Sequence, residues 1–83
     1  MNSDRLKKVI GLVLRNLRES HNQSVIKEES LTQSDIADFA GLSTRYYCSL
    51  ENGKKMPSID TLAKIAEAYK MPLSELCKHI ENY

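Results

Sequence analysis

Three hydrogen-bonding side chains, Thr44, Arg45 and Ser49, fall within one short stretch, with Arg45 and Ser49 four apart, about one helical turn. A guanidinium is a planar fork of donors that fits guanine O6 and N7 together, and hydroxyls donate or accept. A helix presenting this trio outward could therefore read base edges. A bidentate Arg45–guanine contact would discriminate by about 1–3 kcal/mol. The basic pair Lys54–Lys55 follows in what reads as a loop, where ammonium groups meet phosphates. Catalytic chemistry has no comparable support. The chain holds no close acid–base pair, nucleophile motif, phosphate-cradling loop or metal-ligand cluster, and His21 and His79 lie far apart. Two cysteines, Cys48 and Cys77, are too few for a disulfide framework and lack metal-ligand spacing. The reading is a non-enzyme that needs no cofactor and no metal.

The elements that would position the trio are legible from periodicity and caps. Ser43 can cap a helix running to Asn52, on which Tyr47 and Leu50 point inward with Ile36, Phe39 and Leu42. Thr44, Arg45, Cys48 and Ser49 then face outward. Upstream, Thr32 and Asp35 have capping-box spacing at the start of a short helix that Gly41 ends. Gly41-Leu42-Ser43 is a connection short enough to force the two helices to cross steeply, and Ala37 is small enough to allow their close approach. Such a pair, here at about 32–53, is a helix-turn-helix whose second member fits a major groove about 12 Å wide.

The rest of the chain supplies the scaffold. Leu6, Val9, Ile10, Val13, Leu14 and Leu17 form one apolar stripe on a first helix spanning about 4–20, with Ser3 as its cap. Residues 20–30 are polar and aperiodic and read as a loop, with a frayed extension of the first helix as the alternative. Ser58 caps a fourth helix whose stripe is Ile59, Leu62, Ala63, Ile65, Ala66 and Tyr69. Pro72 suits the first turn of a fifth helix carrying Leu73, Leu76, Cys77 and Ile80. The expected architecture is all-α: a compact five-helix bundle in a single domain spanning residues 1–83, since 83 residues leave no room for a second core.

Net charge is +1, but its distribution is uneven. Residues 1–20 carry five Lys/Arg against two acids, residues 21–40 one Lys against four acids, and residues 41–55 three basic residues against Glu51 alone. Positive charge thus gathers on the first helix and around the loop after the third, a pattern suited to a phosphate backbone in a protein that is not globally basic. No run of apolar residues is long enough to span a bilayer, and the N-terminus lacks a secretion-signal plan, so a cytoplasmic location is expected.

Thr32-Gln33, Ile36-Ala37, Gly41-Leu42-Ser43, Leu50-Glu51-Asn52-Gly53 and Pro57-Ser58, at their joint spacing, resemble the lambda-repressor-like helix-turn-helix family, the Cro/repressor or XRE type. The likeness extends through Ile65-Ala66 to Leu76, and back to Leu14-Arg15-Asn16-Leu17-Arg18. The resemblance implies the lambda-repressor-like fold and DNA binding. It implies base contacts from Thr44, Arg45 and Ser49, and backbone contacts from Gln33, Tyr46, Asn52, Lys54 and Lys55. It further implies a structural salt bridge between Arg18 and Glu51. Two departures stand out: Glu19–Leu31 is longer than the family's usual connection, and Cys48 stands where Ser is more usual.

The function expected is a double-stranded DNA-binding transcriptional regulator, a repressor or autoregulatory controller of bacterial or phage type. One recognition helix reads few base pairs, so a homodimer on a near-palindromic operator is expected, its copies about 34 Å apart. Tyr69, Met71, Leu73, Leu76, Ile80 and Tyr83 form the expected dimer interface. No small-molecule effector and no membrane partner are indicated. The competing reading is an antitoxin or other protein-binding module built on the same fold, which would show a weaker dependence of binding on salt.

Overall fold

The computed structural model describes residues 2–83, and their architecture is all-helical. Five helices follow in order: α1 (Ser3–Ser24), α2 (Gln33–Ala40), α3 (Thr44–Glu51), α4 (Ile59–Ala68) and α5 (Leu73–Glu81), with a 3₁₀ turn at Lys27–Glu29. Among the described residues no strand occurs, and no helix is long and apolar enough to cross a membrane.

The first four helices each start where a side-chain oxygen takes an otherwise orphaned peptide N–H. Thr32 and Asp35 close a reciprocal box at α2: the Asp35 N–H donates to Thr32 Oγ1 at 3.0 Å, and the Thr32 N–H to Asp35 Oδ2 at 2.9 Å. Those bonds, the backbone one foremost, hold the exposed Asp35 carboxyl below its ordinary pKa. Ser43 accepts the Tyr46 N–H at 3.1 Å, and Ser58 the Thr61 N–H at 3.1 Å. At α1 the cap is Asn2, not Ser3, with Asn2 Oδ1 accepting from the Arg5 N–H at 2.8 Å. Pro72 lies just outside α5 with extended ψ, so it precedes the first turn and does not occupy it.

Gly41 ends α2 at φ +70°, letting the Leu42 N–H reach the Ala37 carbonyl at 2.8 Å, and Gly53 follows α3 at φ +71°. The equivalent position after α4 is Lys70, at φ +56°. It adopts the left-handed conformation although its Cβ makes that costly, and the Met71 N–H completes the motif on the Ala66 carbonyl at 3.1 Å.

The first helix runs four residues beyond the expected Ser20, into a stretch with no apolar period. Tertiary bonds hold it there. The Asn22 amide donates to the Leu31 carbonyl at 2.9 Å and accepts the Leu31 N–H at 2.7 Å, and the His21 ring stands edge-on to Tyr69, with centroids 6.1 Å apart. The polar segment after α1 is thus a tied-down turn.

Val9, Ile10, Val13 and Leu14 of α1, Ile36, Ala37 and Ala40 of α2, Tyr47 and Leu50 of α3, Leu62, Ile65 and Ala66 of α4, and Leu76 and Ile80 of α5 make one core. Two residues expected in that core lie outside it. Phe39 is 60% exposed, because α2 buries the stripe through Ile36, Ala37 and Ala40, and at 100° per residue position 39 points about 110° from its centre. Ile59 is 65% exposed: it is the first residue of α4 and overhangs the end of the core.

Candidate nucleic-acid interface

The third helix is divided sharply by face. Tyr47 and Leu50 are fully buried, while Thr44 and Arg45 on the opposite side are exposed. Cys48 and Ser49 are half-buried, at the border between the two faces. The face is fixed from within because Tyr47, the largest side chain with no exposure, occupies the centre of the bundle.

The outward groups differ in how free they are. The Arg45 guanidinium has no hydrogen-bond or ion-pair partner among the described residues and projects from the helix. Thr44 Oγ1 donates to Ser34 Oγ at 3.3 Å, a polar stitch across the α2–α3 crossing. Ser49 Oγ donates to the Arg45 carbonyl at 3.1 Å, so its proton is spent inside the helix and its lone pairs face out. Lys54 and Lys55 are exposed after α3, without ion pairs among the described residues. Tyr46 is half-buried and packs on the edge of the core.

Beneath this surface lies a polar knot centred on Glu51, the last residue of α3, whose side chain is fully buried. Arg18 of α1 forks onto it, with Nε to Oε2 at 2.8 Å and Nη2 to Oε1 at 2.9 Å. Gln33, the first residue of α2, donates from Nε2 to Glu51 Oε1 at 3.0 Å and accepts from Cys48 Sγ at 3.0 Å. One carboxylate therefore ties the first three helices together at the end of α3. Burial pushes the Glu51 pKa up, but the bonds from its neighbours, Arg18 foremost, outweigh it and hold the carboxyl below its ordinary value. The same partnership raises Arg18 further. The buried Tyr47 and Tyr69 hydroxyls lie beside the knot without a partner in hydrogen-bonding geometry. Burial raises both phenols, Tyr69 to about 12, with the nearby Glu51 charge adding to the shift.

The Gln33 side chain, which family likeness assigns to a phosphate, is thus engaged with Glu51 and Cys48, and the exposed anion-seeking groups at that end are the first peptide N–H groups of α2. The Gln33–Cys48 and Thr44–Ser34 contacts were not legible beforehand, since they depend on the crossing geometry of two helices. Gly11 was overlooked although it left a signal, a glycine inside a strong helical stripe. A Cβ there would sit 2.6 Å from the Glu51 and Leu50 carbonyl oxygens. Only a glycine lets α1 approach the end of α3 this closely. Arg15 was overlooked as well: its Nη2 donates to Asn52 Oδ1 at 2.9 Å, a contact 37 positions apart.

The expected dimer interface needs correction. Leu76 is fully buried and Ile80 is 9% exposed; both belong to the protomer's own core, because α5 packs its apolar stripe against α1 and α4. Tyr69, Met71 and Leu73 are half-buried against the same core. Tyr83 is 61% exposed and borders a groove lined by Val13, Asn16, Leu17, Ser20 and His79. Cys48 and Cys77 are free thiols, and among the described residues no group of His, Cys, Asp or Glu side chains could hold a metal ion.

Comparison with known proteins agrees with this geometry. Residues 23–76 match the family model described as helix-turn-helix. The cryptic phage CTXphi transcriptional repressor RstR of Vibrio cholerae serotype O1 is 39% identical over 46 residues, covering 55% of this chain and 41% of the relative. The HTH-type transcriptional regulator DdrOP3 of Deinococcus deserti is 34% identical over 70 residues, 84% of this chain and 48% of the relative. The control protein C.MunI of a Mycoplasma species is 38% identical over 56 residues, 68% of this chain and 76% of the relative. The chain spans about half the length of the first two. Its capped α2, its glycine-ended turn and its projecting α3 fall inside the matched stretch, and the chain belongs to the lambda-repressor-like (XRE-type) helix-turn-helix family.

Proposed function

We propose that the protein is a sequence-specific double-stranded DNA-binding transcriptional regulator that places α3 in the major groove. The observation that carries this reading is the division of α3, with Tyr47 and Leu50 locked inside while Thr44 and Arg45 are exposed on the opposite face. Arg45 grips a guanine. Ser49, whose proton is held by the Arg45 carbonyl, offers only acceptors and so favours the amino group of adenine or cytosine. Thr44 completes the base contacts. Asn52, Lys54, Lys55, Tyr46 and the Gln33 end of α2 meet phosphates on the two flanks, where they set register and carry no sequence information. The relatives' names as transcriptional repressor, transcriptional regulator and control protein support a repressor or autoregulatory controller.

A homodimer on a near-palindromic operator is part of the same proposal, because a single α3 reads too few base pairs to single out a site. With Leu76 and Ile80 committed to the core, the groups left for the contact are Tyr83 and the half-buried Tyr69, Met71 and Leu73. Selection of bound duplexes from a random pool tests the reading. Recovery of an inverted repeat is the expected result, and recovery of no motif overturns it. Arg45→Ala should relax preference at one position, whereas Lys54→Ala should weaken all sequences alike.

A further inference from the structure

The Tyr47 side chain has no exposure, yet its hydroxyl, like that of Tyr69, has no partner in hydrogen-bonding geometry. A buried hydroxyl without a partner is destabilising, and phenylalanine would fill the same space without that penalty. Something other than packing therefore accounts for the oxygen. Its surroundings point to Glu51. Against the upward push of burial, Arg18 and then Tyr47 hold the Glu51 carboxyl below its ordinary pKa, so the phenol lies within electrostatic reach of the carboxylate. Tyr47 thus keeps a donor in reserve beside a fully buried charge.

Glu51 Oε1 accepts two bonds, from Arg18 Nη2 at 2.9 Å and from Gln33 Nε2 at 3.0 Å. Arg18 is held by a second bond, Nε to Oε2 at 2.8 Å, and by opposite charge. Gln33 is neutral, half-buried and the first residue of α2, and its other bond is accepted from a thiol, a weak donor. Of the two donors on Oε1, Gln33 is the one that can leave. A phosphate at the start of α2 would offer its amide a charged acceptor outside, but departure alone would leave a buried carboxylate short of a donor. We propose that Tyr47 succeeds Gln33 on Glu51 when DNA binds, so that Gln33 turns outward while the buried charge keeps its full set of donors. The phosphate contact itself belongs to the DNA-binding reading above, on which this exchange rests. Tyr47 touches no DNA and acts through Glu51, as a positioning residue. DNA selects the state with Gln33 outside because only that state bonds the phosphate.

Two double-mutant cycles on the same four proteins test the exchange: wild type, Gln33→Ala, Tyr47→Phe and the double. On a duplex recovered by the selection above, each single variant should lose about tenfold in affinity, the low end for a hydrogen bond onto a charged group. The double should lose no more than either single. In thermal unfolding of the free protein the non-additivity changes sign. Tyr47→Phe should melt at or above wild type and Gln33→Ala slightly below it, whereas the double should melt lower than the two shifts summed, since Glu51 then has neither donor. The side-chain amide resonance of Gln33 reads the exchange directly: it should shift on duplex binding in wild type and keep its free-protein position in Tyr47→Phe. Wild-type affinity in either folded single variant overturns the exchange, as do affinity losses that add or a Gln33 amide that moves equally in both proteins. Additive melting shifts overturn Tyr47 as the succeeding donor. A Tyr47→Phe protein melting well below wild type would show the hydroxyl already bonded in the free protein, which also overturns it. A wild-type protein that selects no duplex fails at the DNA-binding step, and the exchange falls with it.

Discussion

Replacing Gly11 with alanine is the sharpest probe of how α1 seats α3. In an unobstructed helix interior the change should stabilise the protein by roughly 1 kcal/mol, since alanine is the best helix former and glycine among the worst. The new methyl group, however, would sit 2.6 Å from the Glu51 carbonyl oxygen, 2.6 Å from that of Leu50 and 2.9 Å from the Gly53 nitrogen. All three are backbone atoms of the α3 terminus and cannot rotate away. Relieving the overlap requires α1 and α3 to separate by most of an ångström, and overpacking of this kind costs about 1–3 kcal/mol. The rigid neighbours place the cost toward the upper end, so the net effect should be destabilisation by about 1–2 kcal/mol. For a domain of this size that lowers Tm by roughly 4–16 °C. Thermal unfolding followed by circular dichroism measures it. Because the displaced atoms belong to the turn carrying Asn52 and Lys54, duplex affinity should fall as well, even where the variant is fully folded. A Gly11→Ala protein that melts higher than wild type would refute the tight α1–α3 approach.

Glu51→Ala should cost about 3 kcal/mol in chemical denaturation, because it leaves the part-buried Arg18 without its carboxylate; a loss below about 1 kcal/mol would show that the knot is dispensable. Lys70→Gly should raise stability by about 0.5–1 kcal/mol, as glycine adopts φ +56° without a Cβ clash while loosening the unfolded chain; a lower Tm would refute the strain at that turn. The depressed Glu51 pKa contributes stability that is present above its ordinary value of 4.5 and is lost as pH falls below it, so acid should lower the melting temperature. The raised Tyr47 and Tyr69 phenols contribute in the opposite sense, with stability present below pH 10 and lost as pH rises from 10 towards 12. A Tm flat from pH 9 to 12 would count against buried, neutral phenols.

The caps at Thr32, Ser43 and Ser58, the glycines after α2 and α3, and the α1 stripe were all readable because each is a local rule: an oxygen one turn from an orphaned N–H, a residue without Cβ where φ is positive, a period of 3.6. Those rules sufficed to define the helices, the turn and the outward position of Arg45. Local rules misplaced Phe39, whose side chain faces solvent because α2 buries a different stripe, and they left the end of α1 open, because Asn22 and His21 hold its last turn through partners in the following segment and just after α4. They also assigned Leu76 and Ile80 to an interface when the fold takes both for its core. Only tertiary packing decided how Gln33 and Arg18 converge on Glu51, how Gly11 admits the end of α3, and how Arg15 reaches Asn52. Sequence spacing fixes which side chains share a face of one helix. Contacts between helices depend on crossing angles and approach distances, which emerge only when the whole core is filled.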